Sequence, residues 1–377
     1  MDINTQSLKL HKKLQGKIAV ASKIQIKNKA DLSLVYTPGV AEVSRHLHKN
    51  PQDAKQYTIK KNTVAVISDG SAVLGLGNVG PLAALPIMEG KCLLFKQFAG
   101  INAFPIVLST QKPEEIILIV KSIAPAFGGI NLEDIAAPKC FIIEETLKKM
   151  LDVPVVHDDQ WGSAIVATAG VINALKVVRK SIHSARIVIS GAGAAGSAIT
   201  KLLYAKGARN LIVCDSKGII SSSNAHTYFK KQLAQITNLE NKTGTLAQAL
   251  IRSDVFIGVS RPQLVTKEMV TSMNEKAVVI AMANPIPEIM PDEAKYGGAY
   301  IIATGRSDYP NQINNALAFP GVFRGALDHN VKTITTSMLL RAAENLAGLV
   351  KKPASEYIIP SIFDKRVVRG VAKAIVE

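Results

Sequence analysis

The stretch that decides the fold runs from residue 185 to residue 215 and reads ARIVISGAGAAGSAITKLLYAKGARNLIVCD. It begins as an apolar strand, turns through Gly191, Gly193 and Gly196, continues as a helix, and closes a second strand at Asp215. In dinucleotide-binding units the first glycine permits a tight turn, the second lets the pyrophosphate approach the backbone, and the third lets helix and strand pack closely. The helix amino terminus then faces the phosphates. The pattern predicts a nicotinamide-binding Rossmann unit, although glycine-rich turns also occur for purely structural reasons.

Asp215 favours NAD as the cofactor. It lies 19 residues after Gly196, where a carboxylate accepts hydrogen bonds from the ribose hydroxyls and repels a 2′-phosphate. Lys217 follows two residues later, and an ammonium group there would offset the repulsion and admit NADP. The choice between NAD and NADP therefore stays open. The predicted cofactor-binding residues are Gly191, Gly193, Ala194, Ala195, Gly196, Asp215 and, from a later motif, Asn284.

Strands alternate with helices on both sides of this unit. Such alternation favours mainly parallel sheets, and 377 residues exceed one ordinary domain. We therefore predict an α/β protein with an N-terminal catalytic domain over 1–155 and a doubly wound Rossmann domain over 156–377. The predicted strands are 62–68, 91–95, 103–108 and 152–157 in the first domain, and 186–190, 210–214, 254–260, 277–283 and 299–304 in the second.

The composition argues against several classes of protein. A formal charge of +16 favours anionic partners, but the lysines are dispersed and aromatic residues make up only 5% of the chain, so we predict no nucleic-acid platform. The apolar runs are shorter than the roughly 20 residues of a membrane span, and the first residues resemble no signal peptide. Three unpaired cysteines suit a reducing compartment. We expect a cytoplasmic protein that acts on a small molecule.

Carboxylates in the first half predict a metal site. Glu133 and Asp134 follow a Gly-Gly pair, and Asp158 and Asp159 follow His157 at the end of a strand. Carboxylates without cysteine ligands suit Mg²⁺ or Mn²⁺. Acidic residues in the first turn of a helix, opposing its dipole, are the alternative.

Two further features of the first half point to a substrate site. The turn Gly75-Leu-Gly-Asn-Val-Gly80 has glycine spacing but no acidic strand end after it, so we predict that it holds a substrate carboxylate rather than a second nucleotide. Lys91 begins a predicted strand, where partial burial would lower its pKa and make it a base. A lysine that only extends its amino group to solvent is the alternative, as is a packed tyrosine for Tyr36 in its Pro-Gly turn.

Long motifs along nearly the whole chain resemble the malic enzymes. They are YTPGVA at 36–41, SDGSAVLGLGNVGPLAALPIMEGK at 68–91, NLEDI at 131–135, HDDQWGSA at 157–164, ANPIPEI at 283–289 and GRSDYPNQINNALAFPGVFRGALD at 305–328. The resemblance implies oxidative decarboxylation of L-malate to pyruvate and CO₂ with NAD or NADP and Mg²⁺ or Mn²⁺. Malolactic conversion, or decarboxylation of oxaloacetate without net redox change, is the alternative within enzymes. A nucleotide-sensing or nucleic-acid-binding protein that kept only the fold is the alternative outside them.

The resemblance also implies a role for particular residues. Lys91 is the expected general base, Tyr36 the expected acid that protonates enolpyruvate, and Asp158 a partner of the site. The expected metal ligands are Glu133, Asp134 and Asp159, and the expected substrate contacts are Ser71, Gly75, Asn284 and Asn315.

Three departures from the family pattern stand out. Ala72 occupies the place where larger members have a carboxylate-binding arginine, and Trp161 and Ser163 replace the His and Thr of the usual short-form motif HDDQHGTA. We expect Ser71 and the glycine-loop amides to substitute for the arginine, and Trp161 to alter packing or pocket shape. We also expect the compact form of the family, without an acyltransferase-like extension, and a homodimer.

Overall fold

The computed structural model describes residues 2–73 and 75–377. The first half of the chain contains α1 Ile3–Leu14, α2 Lys29–Val35, α3 Val40–Lys49, α4 Ala54–Tyr57, β1 Thr63–Ser68, α5 Gly80–Ala99, β2 Asn102–Val107, α6 Pro113–Ile123, β3 Gly129–Leu132, α7 Lys139–Met150 and β4 Val155–His157. The remainder contains α8 Asp158–Val178, β5 Arg186–Ser190, α9 Ala194–Lys206, β6 Asn210–Asp215, β7 Gly218–Ile219, α10 Tyr228–Ile236, α11 Leu246–Leu250, β8 Val255–Gly258, α12 Lys267–Thr271, β9 Val278–Ala281, α13 Pro291–Tyr296, β10 Ile301–Thr304, α14 Phe319–Asp328, α15 Thr336–Gly348 and α16 Arg366–Ala372.

The first sheet has the strand order β2-β1-β3-β4, and every pair in it is parallel. Its central strands are fully buried, as expected when helices cover both faces. The predicted strand 91–95 is wrong, because these residues lie inside the 20-residue helix α5. A short apolar run does not distinguish a strand from a buried helix turn, and the helix continues through Gly90.

The second sheet has the order β10-β9-β8-β5-β6-β7, parallel except for the β6–β7 pair. This is the doubly wound arrangement predicted from residues 185–215, with the strand order reversing between β5 and β8. The carboxyl ends of these two strands flank a crevice, which is where open α/β sheets bind ligands.

The two halves share one hydrophobic core. Phe95 of α5 packs edge-on against Phe319 and Phe323 of α14, with ring centroids 4.8 and 5.4 Å apart. Helix α8 is long and apolar enough by composition to cross a membrane, contrary to the expectation from shorter apolar runs, but 72% of its most apolar window is buried inside the protein. Its apolar surface is therefore explained by core packing.

Candidate active site

Three carboxylates predicted as metal ligands meet at the carboxyl edge of the first sheet. Glu133 and Asp134 follow β3, and Asp159 lies in the first turn of α8, directly after β4. One ligand oxygen from each lies within 4.8 Å of the others. The Asp134 N–H donates to Asp159 Oδ2 at 2.8 Å, and Asp134 has a φ of 54°, an uncommon backbone conformation for a residue other than glycine. The backbone is thus bent so that these carboxylates converge.

Burial makes the carboxylate cluster costly without a cation. Burial is the main cause of the raised pKa of Glu133, Asp134 and Asp159. Neighbouring carboxylates raise each pKa further, and Lys91 opposes the rise in all three. The Asp134 Oδ2 atom is buried and has no hydrogen-bond partner among the described residues. A divalent cation bound here would satisfy that oxygen and relieve the repulsion.

Lys91 lies beside this cluster, on helix α5. Its Nζ is paired with Glu133 Oε1 at 2.9 Å and with Asp158 Oδ2, and it lies 4.2 Å from the centroid of the Phe319 ring. Burial alone would lower the pKa of Lys91, but Asp158 and Glu133 raise it well above its ordinary value. The expectation that burial would lower the pKa of Lys91 is therefore wrong for this arrangement, because two carboxylates outweigh desolvation.

Asp158 and Asn315 are packed around Gly162 in α8. A Cβ on Gly162 would lie 2.0 Å from Asp158 Oδ1 and 3.0 Å from the Cβ of Asn315. Asp158 is fully buried, and burial raises its pKa to about 7 although Lys91 opposes the rise. The missing side chain at Gly162 thus makes the space in which the Asp158 carboxylate turns toward Lys91.

The glycine-rich turn after β1 brings the two halves together at Asn284. Gly75 has a φ of 74°, and a Cβ there would lie 2.3 Å from the Asn284 carbonyl oxygen. Asn284 precedes a cis proline and follows β9. Ser71, the other predicted substrate contact of this segment, already accepts a hydrogen bond from the Ala136 N–H at 2.9 Å, so its hydroxyl also positions the loop that follows the metal cluster.

A cavity of about 590 Å³ lies between the halves, at the reversal point of the second sheet. Gly191, Gly193 and Asp215 line it, and Ala137 and Phe141 of the first half close it from the other side. Ala194, Ala195 and Gly196 form the first turn of α9 behind the loop, where a Cβ on Gly196 would come within 1.8 Å of the Gly191 carbonyl oxygen. Asn284, predicted as a cofactor contact, is not among the lining residues.

Lys230, rather than Lys217, neutralises Asp215. Its Nζ donates to Asp215 Oδ2 at 2.5 Å, while the other carboxylate oxygen accepts the Lys217 backbone N–H at 2.7 Å. Burial would raise the pKa of Asp215, but the bond from Lys230 is the largest of several contributions that bring it below its ordinary value. Lys217, Lys230 and Arg261 line the cavity together with Asp215, so these charged groups of its lining are cationic overall.

Tyr36 is placed apart from these groups. It caps the carboxyl end of α2 and its residue surface is 66% exposed. No hydrogen bond joins its hydroxyl to Lys91 or to the carboxylates within residues 2–73 and 75–377. The described chain therefore brings together Lys91, Asp158 and the three metal-ligand candidates, but not Tyr36.

Sequence reasoning missed Glu144, which organises the start of α8. This buried carboxylate of α7 accepts the His157 N–H at 3.2 Å, the Gln160 side-chain N–H at 2.9 Å and the Trp161 Nε1–H at 2.9 Å. Its only sequence signal is an acidic residue on the apolar side of a helix. Lys230 gave a similarly weak signal, since one lysine in a Lys-Lys pair at a helix start is normally exposed.

Comparison with known proteins identifies the relatives of this chain. The model of the malic enzyme N-terminal domain matches residues 15–148, and that of the malic enzyme NAD binding domain matches residues 161–377. A bifunctional malic/malolactic enzyme of Bacillus subtilis is 52% identical, covering 100% of this chain and 92% of the relative. An NADP-dependent malic enzyme of Halomonas elongata is 46% identical, covering 97% of this chain and 90% of the relative.

Solved structures agree with the sequence relatives. The crystal structure of an NAD-dependent malic enzyme from Thermotoga maritima superposes with a TM-score of 0.95 at 48% identity, covering 100% of this chain and 99% of that chain. With both domains matched in order and about half of its residues identical to such relatives, the chain belongs to the malic enzyme family.

Proposed function

We propose that this protein catalyses the oxidative decarboxylation of L-malate to pyruvate and CO₂, with reduction of NAD or NADP. The observation that carries the proposal is the buried Lys91, held between Asp158 and Glu133 beside a carboxylate triad. The loop that follows this triad reaches the dinucleotide cavity at Ala137. A lysine, a metal site and a nicotinamide pocket in one cleft are the groups that a redox decarboxylation needs.

We propose that Glu133, Asp134 and Asp159 hold Mg²⁺ or Mn²⁺. The residues fit such an ion, because they offer hard oxygen ligands, lie within 4.8 Å of one another and include an oxygen without a hydrogen bond. When bound, the ion polarises the ketone of the oxidised substrate and the dinucleotide accepts the hydride from carbon 2.

Lys91 takes the proton of the malate hydroxyl in this proposal. In the structure its two carboxylate neighbours favour the ammonium form. A cation held by Glu133 would compete with Lys91 for that carboxylate and so would favour the neutral amine, which is the form that accepts a proton. Asp158 Oδ2 keeps the amino group oriented.

Tyr36 supplies the proton to the enolpyruvate carbon after CO₂ departs. The support for this role is its place in the family motif at 36–41, and its exposure leaves the hydroxyl accessible. Asn284, Asn315, Ser71 and Gly75 stay the proposed substrate contacts. The close approach of Gly75 to Asn284 supports this, because it brings predicted substrate contacts from the two halves of the chain together.

We propose that both NAD and NADP bind, because Lys230 offsets the charge of Asp215. Lys230→Met should weaken binding of 2′,5′-ADP about tenfold or more while changing binding of AMP little, as measured by calorimetry. Lys231→Met is the matched control, since that neighbouring lysine does not line the cavity. Equal loss for both nucleotides would contradict the assignment.

Malolactic conversion is the second candidate, favoured by the name of the Bacillus subtilis relative. Initial rates with malate, each cofactor and each metal separate the two activities. Malic enzyme activity produces pyruvate and one reduced nicotinamide per malate consumed. Lactate formation without a rise in reduced nicotinamide would establish the alternative, and no turnover with any combination would overturn both.

We propose a homodimer in the cytoplasm. Helices α1, α2 and α3 contain no buried residue, yet they carry Leu8 and Leu34, which are 74% and 73% exposed. An apolar surface of this kind marks an interface. Leu34→Glu should therefore shift the mass in light scattering from dimer to monomer, whereas Leu118→Glu on α6 should not.

The proposed cytoplasmic location rests on the cysteines. Three free, buried cysteines support a reducing compartment, and cell fractionation tests this location.

A further inference from the structure

The first turn of α8 depends on another helix for its position. Its N-cap residue, His157, makes no capping side-chain hydrogen bond. Instead, Glu144 of α7 accepts three hydrogen bonds from residues 157, 160 and 161. These donors lie immediately before and after Asp158 and Asp159, so the carboxylate binds the backbone and side chains on both sides of the site aspartates.

Trp161 makes the most extensive of these contacts. Its indole Nε1–H is shared between the two Glu144 oxygens, at 2.9 and 3.1 Å. The amino group of Lys148 lies 2.7 Å from Glu144 Oε1 and 5.4 Å from the centroid of the indole ring. Glu144 is 3% exposed, and a buried carboxylate that loses one donor keeps a desolvation cost that its other donors only partly offset.

We propose that Trp161 and Glu144 form a positioning pair that fixes Asp159 for divalent-cation binding. The Asp159 carboxylate itself accepts the Asp134 N–H at 2.8 Å and lies 3.8 Å from His157 Nε2. The pair holds the residues before and after Asp159, so it contributes to where this carboxylate lies. The inference rests on the proposed metal site. Trp161 touches neither the ligands' oxygens nor Lys91 in any described hydrogen bond, and it acts through the helix start.

The alternative is that Trp161 only fills space, since its ring packs against the main core cluster. The two roles predict different results for Trp161→Phe, which keeps an aromatic ring but removes the N–H. A space-filling role predicts a change in stability alone. A positioning role predicts a change in metal affinity of the folded protein, because hydrogen bonds that orient metal ligands typically contribute about 10–100-fold to affinity.

The test is Mn²⁺ binding to the full chain without substrate or dinucleotide, measured as free Mn²⁺ by electron paramagnetic resonance. Trp161→Phe should raise the Kd for Mn²⁺ about tenfold, and Glu144→Gln, which keeps one oxygen acceptor, should raise it by a similar factor. The double variant should bind Mn²⁺ no more weakly than the single variant of lower affinity, because both changes break the same pair. Asp254→Ala, which removes a partly buried ion pair directly before β8, should lower stability and leave the Kd unchanged.

A Kd for folded Trp161→Phe within about twofold of wild type would overturn the inference, as would effects that multiply in the double variant. If Trp161→Phe does not fold, Glu144→Gln decides the question by the same criterion. Wild-type protein that binds no Mn²⁺ would overturn the proposed metal site itself, which distinguishes the two failures.

Discussion

Gly162 offers the sharpest test of how the site is built, because adding one methyl group there has two opposite effects on stability. Alanine favours a helix over glycine by about 1 kcal/mol. The same methyl would lie 2.0 Å from Asp158 Oδ1 and 2.9 Å from its Cγ, whereas ordinary contacts begin near 3.4 Å. Asp158 is fully buried and must turn away, which breaks its pair with Lys91.

The steric effect should exceed the helix propensity. Breaking a buried ion pair costs about 3–5 kcal/mol, so Gly162→Ala should be destabilised by about 2–4 kcal/mol after the propensity gain. Because Asp158 orients the proposed base, kcat/KM for malate should also fall about 100-fold or more. Urea unfolding followed by the fluorescence of Trp161, the single tryptophan, measures the first effect, and initial rates measure the second.

Two variants isolate the cause. Gly348→Ala is the matched control, because Gly348 ends α15 and its Cβ would meet nothing within 4 Å; it should be neutral or gain up to about 1 kcal/mol. Asp158→Ala removes the clashing carboxylate, so adding Gly162→Ala to that variant should no longer destabilise it. A Gly162→Ala enzyme as stable and active as wild type would refute the packing argument.

Three further variants test separate parts of the reasoning. Lys91→Ala should abolish malate oxidation while leaving dinucleotide binding, measured by calorimetry, largely intact; normal turnover would refute its role as base. Tyr36→Phe should lower kcat by about 10²–10⁴-fold at unchanged unfolding midpoint because the residue is exposed, and an unchanged kcat would remove it from the mechanism. Burial would raise the pKa of Asp254, but hydrogen bonds, that of Lys180 first, together bring this pKa below its ordinary value. Its stabilising effect is therefore present above about pH 4 and lost as pH falls through the lowered pKa, so the destabilisation by Asp254→Ala in urea titrations should shrink in strong acid rather than persist.

The parts of the fold that follow from local pattern were predictable from the sequence. The strand, glycine turn and helix at 186–206 form as expected. Gly196 is required by a close contact within the unit, because a Cβ there would lie 1.8 Å from the Gly191 carbonyl oxygen. Gly191 is instead required by the Val259 carbonyl, and a Cβ on Gly193 would meet nothing within 4 Å. The strand predicted at 91–95 is wrong because the local pattern there was ambiguous. An apolar run inside a buried helix has no polar face, so its period gives no signal.

The residues of the candidate site that belong to short sequence motifs were predictable. The residues that only tertiary contacts bring to the site were not. Glu133, Asp134 and Asp159 come from two short motifs, and parallel strands bring both to one sheet edge. Lys230 contacts Asp215, 15 positions before it, and Glu144 contacts Trp161, 17 positions after it. The sequence around Lys230 and Glu144 does not indicate that their side chains face inward. Their partners became evident only from the packing of α10 on the cavity and of α7 on α8.

The proposed base is assembled by both halves of the chain rather than by the first alone. Lys91 lies on α5, but Asp158 lies beyond the predicted boundary at residue 155, and the Phe319 ring over its ammonium group comes from α14. The same α14 covers Phe95 one turn further along α5. Separating the halves would therefore expose this aromatic cluster and leave Lys91 with Glu133 as its one described carboxylate partner. The charge and the apolar cover around the ammonium group of Lys91 thus both depend on how the second half of the chain packs against the first.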